Sequence, residues 1–107
     1  MKKLLFICSQ NRLRSPTAEA VFAEYEGIET DSAGLDHYAE VPLSTEAIEW
    51  ADIIFVMEKS HKIKLAQKFQ PFLKNKRVIC LDIPDEFEYM DAKLIEILKK
   101  KVIKIIT

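Results

Sequence analysis

Cysteine is scarce in this chain, charge of either sign is balanced, and long apolar runs are missing. Two cysteines, Cys8 and Cys80, among 107 residues give no disulfide framework, and neither is spaced with a histidine as a zinc site requires. A formal net charge of −1 and a pI near 6.1 argue against the broad basic surface that binds nucleic acid. No stretch reaches the roughly 18 apolar residues of a membrane span. The opening MKKLLFIC pairs two lysines with an apolar run, but that run covers only Leu4 to Ile7. An export signal needs roughly 7–15 apolar residues, and the next residues in the chain, SQNRLRS, are polar. A reducing cytoplasm is the expected home, with no membrane attachment. Repeats, low-complexity tracts and linkers are also missing, so residues 1–107 read as one domain. A monomer is expected.

What is present is concentrated in residues 3–20, KLLFICSQNRLRSPTAEA. An apolar strand from Lys3 to Ile7 leads into a tight loop opening with Cys8, and a helix follows from about Ser15. Ser15-Pro16 supplies an N-cap and a proline at the first helical position. Two of the three arginines in the protein, Arg12 and Arg14, fall inside that loop. Amides at a helix start have no intrahelical partner, and the dipole there is positive, so such a loop suits an oxyanion such as phosphate. It suits a thiolate equally well, because a helix N-terminus and a guanidinium stabilise the anionic sulfur. The spacing Cys8-x5-Arg14-Ser15 allows the loop amides to curl around a tetrahedral anion with the sulfur beneath. Arg14 then offers parallel N–H donors, which a lysine lacks.

The rest of the chain alternates strands and helices. Gly27 ends the first helix, and Ile28 to Ser32 reads as a second strand. Ser32-Ala-Gly34 turns into an irregular loop, Leu35 to Pro42, and a helix comes next with Ser44 as its cap. Asp52 to Met57 is an apolar run of the kind buried on both faces of a parallel sheet. Ser60 to Phe69 is helical, Arg77 to Leu81 is a fourth strand, and Asp91 to Ile106 is the last helix. Such alternation predicts a parallel sheet with helices on both faces, with ligands bound beyond the C-terminal strand ends. Cys8, the Ser32–Tyr38 loop, Glu58 and the Asp82–Asp91 loop all fall at those ends. His61 reads as a surface residue at a helix start, and Trp50 as core.

The segment ICSQNRLRSPTAEAVF resembles the active-site segment of the low-molecular-weight protein tyrosine phosphatases, with its Cys-x5-Arg-Ser-Pro and alanine-rich helix. The stretches DSAG (Asp31 to Gly34), DIIFVME (Asp52 to Glu58) and DIPDEF (Asp82 to Phe87) also match, in the right order. The resemblance implies a three-layer α/β/α fold, phosphotyrosine phosphatase I-like, whose four-stranded parallel sheet has the order 2-1-3-4. It implies hydrolysis of phosphotyrosine or aryl phosphate through a cysteinyl-phosphate, with neither metal nor cofactor. Cys8 would be the nucleophile, and Arg14 with the amides from Ser9 through Gln10, Asn11, Arg12 and Leu13 to Ser15 would hold the phosphate. Asn11 would keep the loop's shape, and Ser15 would donate to the sulfur. Among Asp82, Asp85, Glu86, Glu88 and Asp91, the family pattern places the general acid at Asp85, with Asp82 in reserve.

The departures from that pattern are specific. Gln10 stands where the family usually has glycine, and Leu13 replaces a second cysteine, so a disulfide with Cys8 cannot form there. Glu86 and Phe87 replace the proline and tyrosine of the acid loop. The chain is short where the family builds its substrate wall, which leaves His37, Tyr38, Phe87 and Tyr89 as candidate wall residues. Two alternatives share the loop: an arsenate reductase using an external thiol, since only Cys80 is otherwise present, and a phosphate-binding module without strong turnover.

Overall fold

The computed structural model describes residues 2–107. Four strands, β1 (Lys2–Cys8), β2 (Ile28–Gly34), β3 (Ile53–Val56) and β4 (Arg77–Cys80), form one parallel sheet in the order β2-β1-β3-β4. The helices are α1 (Arg14–Ala23), α2 (Thr45–Trp50), α3 (Lys59–Phe69) and α4 (Ala92–Ile106), with one 3-10 turn at Gln70–Phe72. The expected layers and strand order are those observed. β2 runs two residues further than expected, through Gly34, because Ile7 and Cys8 still pair with Ala33 and Gly34.

The central strands are apolar on both faces because each face meets helices. Leu4, Phe6 and Cys8 share one side with Ile53 and Phe55. There they pack against Ala18, Val21 and Phe22 of α1 and Leu94, Leu98 and Val102 of α4. Phe6 sits in a stack between Phe22 and Phe55, with ring centroids 5.7 and 5.1 Å apart. Leu5, Ile7, Ile54 and Val56 face the other way, onto Ile48 of α2 and Leu65 of α3, with half-buried Trp50 packed alongside. Ser44 caps α2 by accepting from the Ala47 amide, and Asp91 caps α4 by accepting from the Lys93 amide. Among the described residues, no helix is long and apolar enough to cross a membrane.

Parallel strands deliver all their following segments to one edge. The segment after β1 is locked there by the one after β2. The amides of Leu35, Asp36 and Glu40 donate to the carbonyls of Cys8, Ser9 and Gln10 at 2.9, 2.8 and 3.0 Å. Gly34 makes this approach possible. A Cβ at Gly34 would lie 2.7 Å from the Ser9 carbonyl oxygen and 2.4 Å from the Ala39 Cβ.

Candidate active site

The carbonyls of Cys8, Ser9 and Gln10 are tied down behind the loop. The Asn11 amide donates to Cys8 Sγ at 3.2 Å. Asn11 makes this turn by taking a left-handed conformation, φ 57°, which asparagine tolerates better than most residues. Its side-chain Oδ1 accepts from Ser15 Oγ at 2.9 Å, and Ser15 Oγ lies 2.9 Å from Cys8 Sγ. One hydroxyl hydrogen cannot serve both partners. With Cys8 as a thiol, S–H donates to Ser15 and Ser15 donates to Asn11. With Cys8 as a thiolate, the Ser15 hydrogen turns to the sulfur. Ser15 is thus occupied beneath the loop and does not cap the helix, contrary to the sequence reading. The N-cap position of α1 lies two residues earlier, at Leu13, with no side-chain cap.

Arg14 closes the loop. Its side chain is 4% exposed and its orientation is fixed by Nη1, which donates to Glu58 Oε2 at 2.6 Å and to the Ile83 carbonyl at 2.7 Å. A guanidinium carries five N–H donors in a plane, so the Nε and Nη2 edge remains for a ligand. Asp85 Oδ1 lies 3.7 Å from Arg14 Nε. Arg12 points out to solvent and meets Glu40 Oε1 at 3.5 Å, a pairing of small energetic consequence at such exposure.

One open cavity gathers Cys8, Ser9, Gln10, Arg12, Leu13, Arg14 and Asp85, with Asp36 and Lys64 completing its rim. Asn11 and Ser15 lie buried behind it. Asp82, the reserve acid, does not line this cavity. It adopts φ 56° and borders other hollows, one with Cys80 and Lys101 and one with Lys59 and Ser60. The acid loop is moored at several points: the Ile83 amide donates to the Met57 carbonyl at 2.8 Å, and the Met90 amide to Thr17 Oγ1 at 2.9 Å.

The expected aromatic wall is not there. Tyr38 is 89% exposed and Tyr89 54% exposed, and His37 stacks edge-on against Tyr38 in solvent. Phe87 packs against the core on the α1 and α4 side of the sheet. None of the four lines the cavity, whose walls hold no aromatic ring. Asp36 and Lys64 were not singled out by the sequence, since nothing local marks a loop aspartate or a helix lysine as facing a site.

His61 is the larger correction. It is 2% exposed and stands at the third position of α3. Its Nδ1 accepts from the Glu58 amide at 3.2 Å, while the Glu58 side chain accepts from the His61 amide, a reciprocal capping box. Nε2 lies 3.0 Å from Ser9 Oγ. Glu-x-x-His inverts the usual serine-first pattern, which hid the motif. The Arg14 hydrogen bond holds the Glu58 carboxyl below its ordinary value of 4.5, outweighing the opposing effect of burial. Burial, reinforced by the Arg14 charge, holds the His61 imidazole below its ordinary 6.5. Both groups therefore bind protons more readily in the unfolded chain. Their contribution to stability is complete above about pH 6.5 and is lost as pH falls, first through the His61 range and then through that of Glu58. Urea midpoints measured from pH 7.5 to 4 are expected to fall, and a flat profile would contradict these assignments.

A family model for low molecular weight phosphotyrosine protein phosphatase matches residues 3–49. No curated protein matches the chain in sequence. Among solved structures, low molecular weight protein tyrosine phosphatase SP-PTP from Streptococcus pyogenes superposes with a TM-score of 0.81 at 15% identity, over 100% of this chain and 95% of that one. The YwlE arginine phosphatase from Geobacillus stearothermophilus gives 0.78 at 21% identity, over 98% and 93%. The tyrosine phosphatase Wzb from Escherichia coli K30, in complex with phosphate, gives 0.76 at 18%, over 96% and 94%. At these identities the structures speak for the fold.

Proposed function

We propose, for a chain that carries the signature of the low molecular weight phosphotyrosine protein phosphatases over residues 3–49 and their fold throughout, metal-independent hydrolysis of phosphate monoesters through a phosphoryl group carried on Cys8. Phosphotyrosine and other aryl phosphates are the substrates this reading names first. The observation that carries it is a single cavity lined by Cys8, Arg14 and Asp85, brought together from distant parts of the sequence.

In the first step the Cys8 thiolate attacks phosphorus in line, the S–P bond forms, and the P–O bond to the leaving group breaks. Asp85 supplies the leaving oxygen with its proton. In the second step water attacks phosphorus, gives a proton to the Asp85 carboxylate, and the S–P bond breaks. The Ser15 hydroxyl, 2.9 Å away, receives the returning thiolate. The free edge of Arg14 and the loop amides hold the equatorial oxygens throughout.

A second reading, phosphate carried on a guanidinium nitrogen, draws support from the rim. Asp36 and Asp85 place carboxylates at a mouth without aromatic rings, and one structural neighbour is described as an arginine phosphatase. The arsenate reductase alternative finds little support, because Cys80 packs with the other core face and borders a different hollow from Cys8.

The test is hydrolysis of phosphotyrosine and phosphoarginine peptides with chelator present, comparing wild type, Asp85→Asn and Asp82→Asn. Asp85→Asn is expected to lower kcat on phosphotyrosine by about 10²–10³-fold, and less on p-nitrophenyl phosphate, whose leaving group needs little protonation. Asp82→Asn is expected to stay within about twofold. A higher kcat/KM for phosphoarginine would replace the aryl reading. No turnover of any ester, with oxyanion binding retained, would leave a phosphate-binding module.

A further inference from the structure

We propose that His61 is a positioning residue which, while neutral, locks both ends of the phosphate loop to α3 and, when protonated, releases them, so that the loop's grip on an oxyanion weakens in acid. This rests on the loop being an oxyanion site, though not on turnover.

The hydrogen-bond pattern fixes the tautomer. Nδ1 accepts the Glu58 amide, so the single ring hydrogen is on Nε2 and donates to Ser9 Oγ at 3.0 Å. Ser9 directly follows Cys8, at the near end of the loop. Glu58, whose amide His61 receives, holds Arg14 at the far end with its carboxylate at 2.6 Å. One buried imidazole is thereby joined to the first and last working residues of the loop. Nothing in the phosphoryl-transfer steps uses it.

A second proton must go onto Nδ1, where it would confront the Glu58 N–H. Two donors cannot share that contact, and the capping box must open. The protonated ring would also draw Glu58 Oε2, already 3.7 Å from Nε2, away from Arg14. The charged groups facing His61 are Glu58 and Lys64 of α3, Arg14 of α1, and Asp36 of the segment after β2. Arg14 and Lys64 oppose protonation, while Glu58 and Asp36 favour it. Simple electrostatics says that a new cation beside an anion site tightens anion binding. The lock says the reverse, so the sign of the effect separates the two.

The experiment measures sulfate affinity by calorimetry at pH 7.5 and 5.0, because sulfate keeps two negative charges throughout. Wild type is compared with His61→Asn, in which Oδ1 keeps an acceptor for the Glu58 amide while the contact to Ser9 and the titration are both lost. Protonation elsewhere in the site is common to the two proteins, so their difference isolates His61. Wild type is expected to lose about tenfold more affinity on acidification than His61→Asn does. At pH 7.5 the variant is expected to bind about fivefold more weakly than wild type. Equal pH responses would overturn the lock. So would wild-type affinity in the variant at pH 7.5 with only a lowered Tm, which would make His61 a structural residue and nothing more. His61→Gln takes the same test if His61→Asn does not fold. Absence of sulfate binding at both pH values would remove the oxyanion site and this proposal with it. Absence of ester hydrolysis with these affinities intact would count against the phosphatase reading alone.

Discussion

Cys8→Ser is expected to abolish turnover, by on the order of 10⁴-fold or more, while leaving oxyanion binding within about threefold of wild type. The two halves of that expectation come from different parts of the site. Turnover needs an anionic nucleophile that is also a good leaving group. A serine hydroxyl is neutral at pH 7, and a phosphoserine formed by it would be a stable ester. Nothing in the Cys8 environment would deprotonate an alcohol: its neighbours are the Asn11 amide at 3.2 Å and the Ser15 hydroxyl at 2.9 Å, and both are hydrogen-bond donors to an anion. Binding, by contrast, is assigned to the loop amides and Arg14. Those are held by the Leu35, Asp36 and Glu40 amides behind the loop and by Glu58 and Ile83 at Arg14. None of these contacts involves sulfur. The measurement is steady-state hydrolysis of p-nitrophenyl phosphate with chelator, beside sulfate calorimetry on the same protein. Turnover surviving in Cys8→Ser would sink the covalent mechanism. Lost binding together with lost turnover would mean that the sulfur organises the loop.

How much the sequence made legible depends on how locally each feature is determined. The β1–loop–α1 segment could be read because a fully buried strand, Leu4 to Cys8, is an unbroken apolar run and because the arginine spacing is itself the signature. Asp85 was named through the resemblance, with Asp82 in reserve, and only tertiary structure shows that Asp85 and not Asp82 borders the Cys8 cavity. The aromatic wall failed for a physical reason. Phe87 has an apolar core to join, whereas Tyr38 and Tyr89 stay largely exposed and border no part of the cavity. His61 sits in MEKSHKIK, which looks like a solvated helix start. Its burial comes from the loop after β1, far away in sequence, and only tertiary structure supplies that contact. Strand order was likewise implied by the resemblance and by nothing in the periodicity.

Arg14→Lys tests the other large effect, and the geometry of the guanidinium sets its expected size. Nη1 spends both of its hydrogens on the protein, one on Glu58 at 2.6 Å and one on the Ile83 carbonyl at 2.7 Å. The opposite edge, Nε with Nη2, is left to present two parallel donors to the transferring phosphoryl group. An ammonium has three donors around a point and no second edge. Placed to satisfy Glu58 and Ile83, it cannot reach the phosphate with two bonds; placed at the phosphate, it leaves a carbonyl and a half-exposed carboxylate unpaired. The expected loss in kcat/KM is about 10²–10³-fold, the cost of removing a preorganised oxyanion donor. It should fall more on kcat than on KM, since the two fixed donors match the equatorial oxygens best in the trigonal arrangement of the transition state. Glu58→Gln, which keeps an acceptor for Nη1 without its charge, is expected to cost about tenfold or less. A loss below tenfold for Arg14→Lys would show that a point charge suffices and that the Nε–Nη2 edge contributes little.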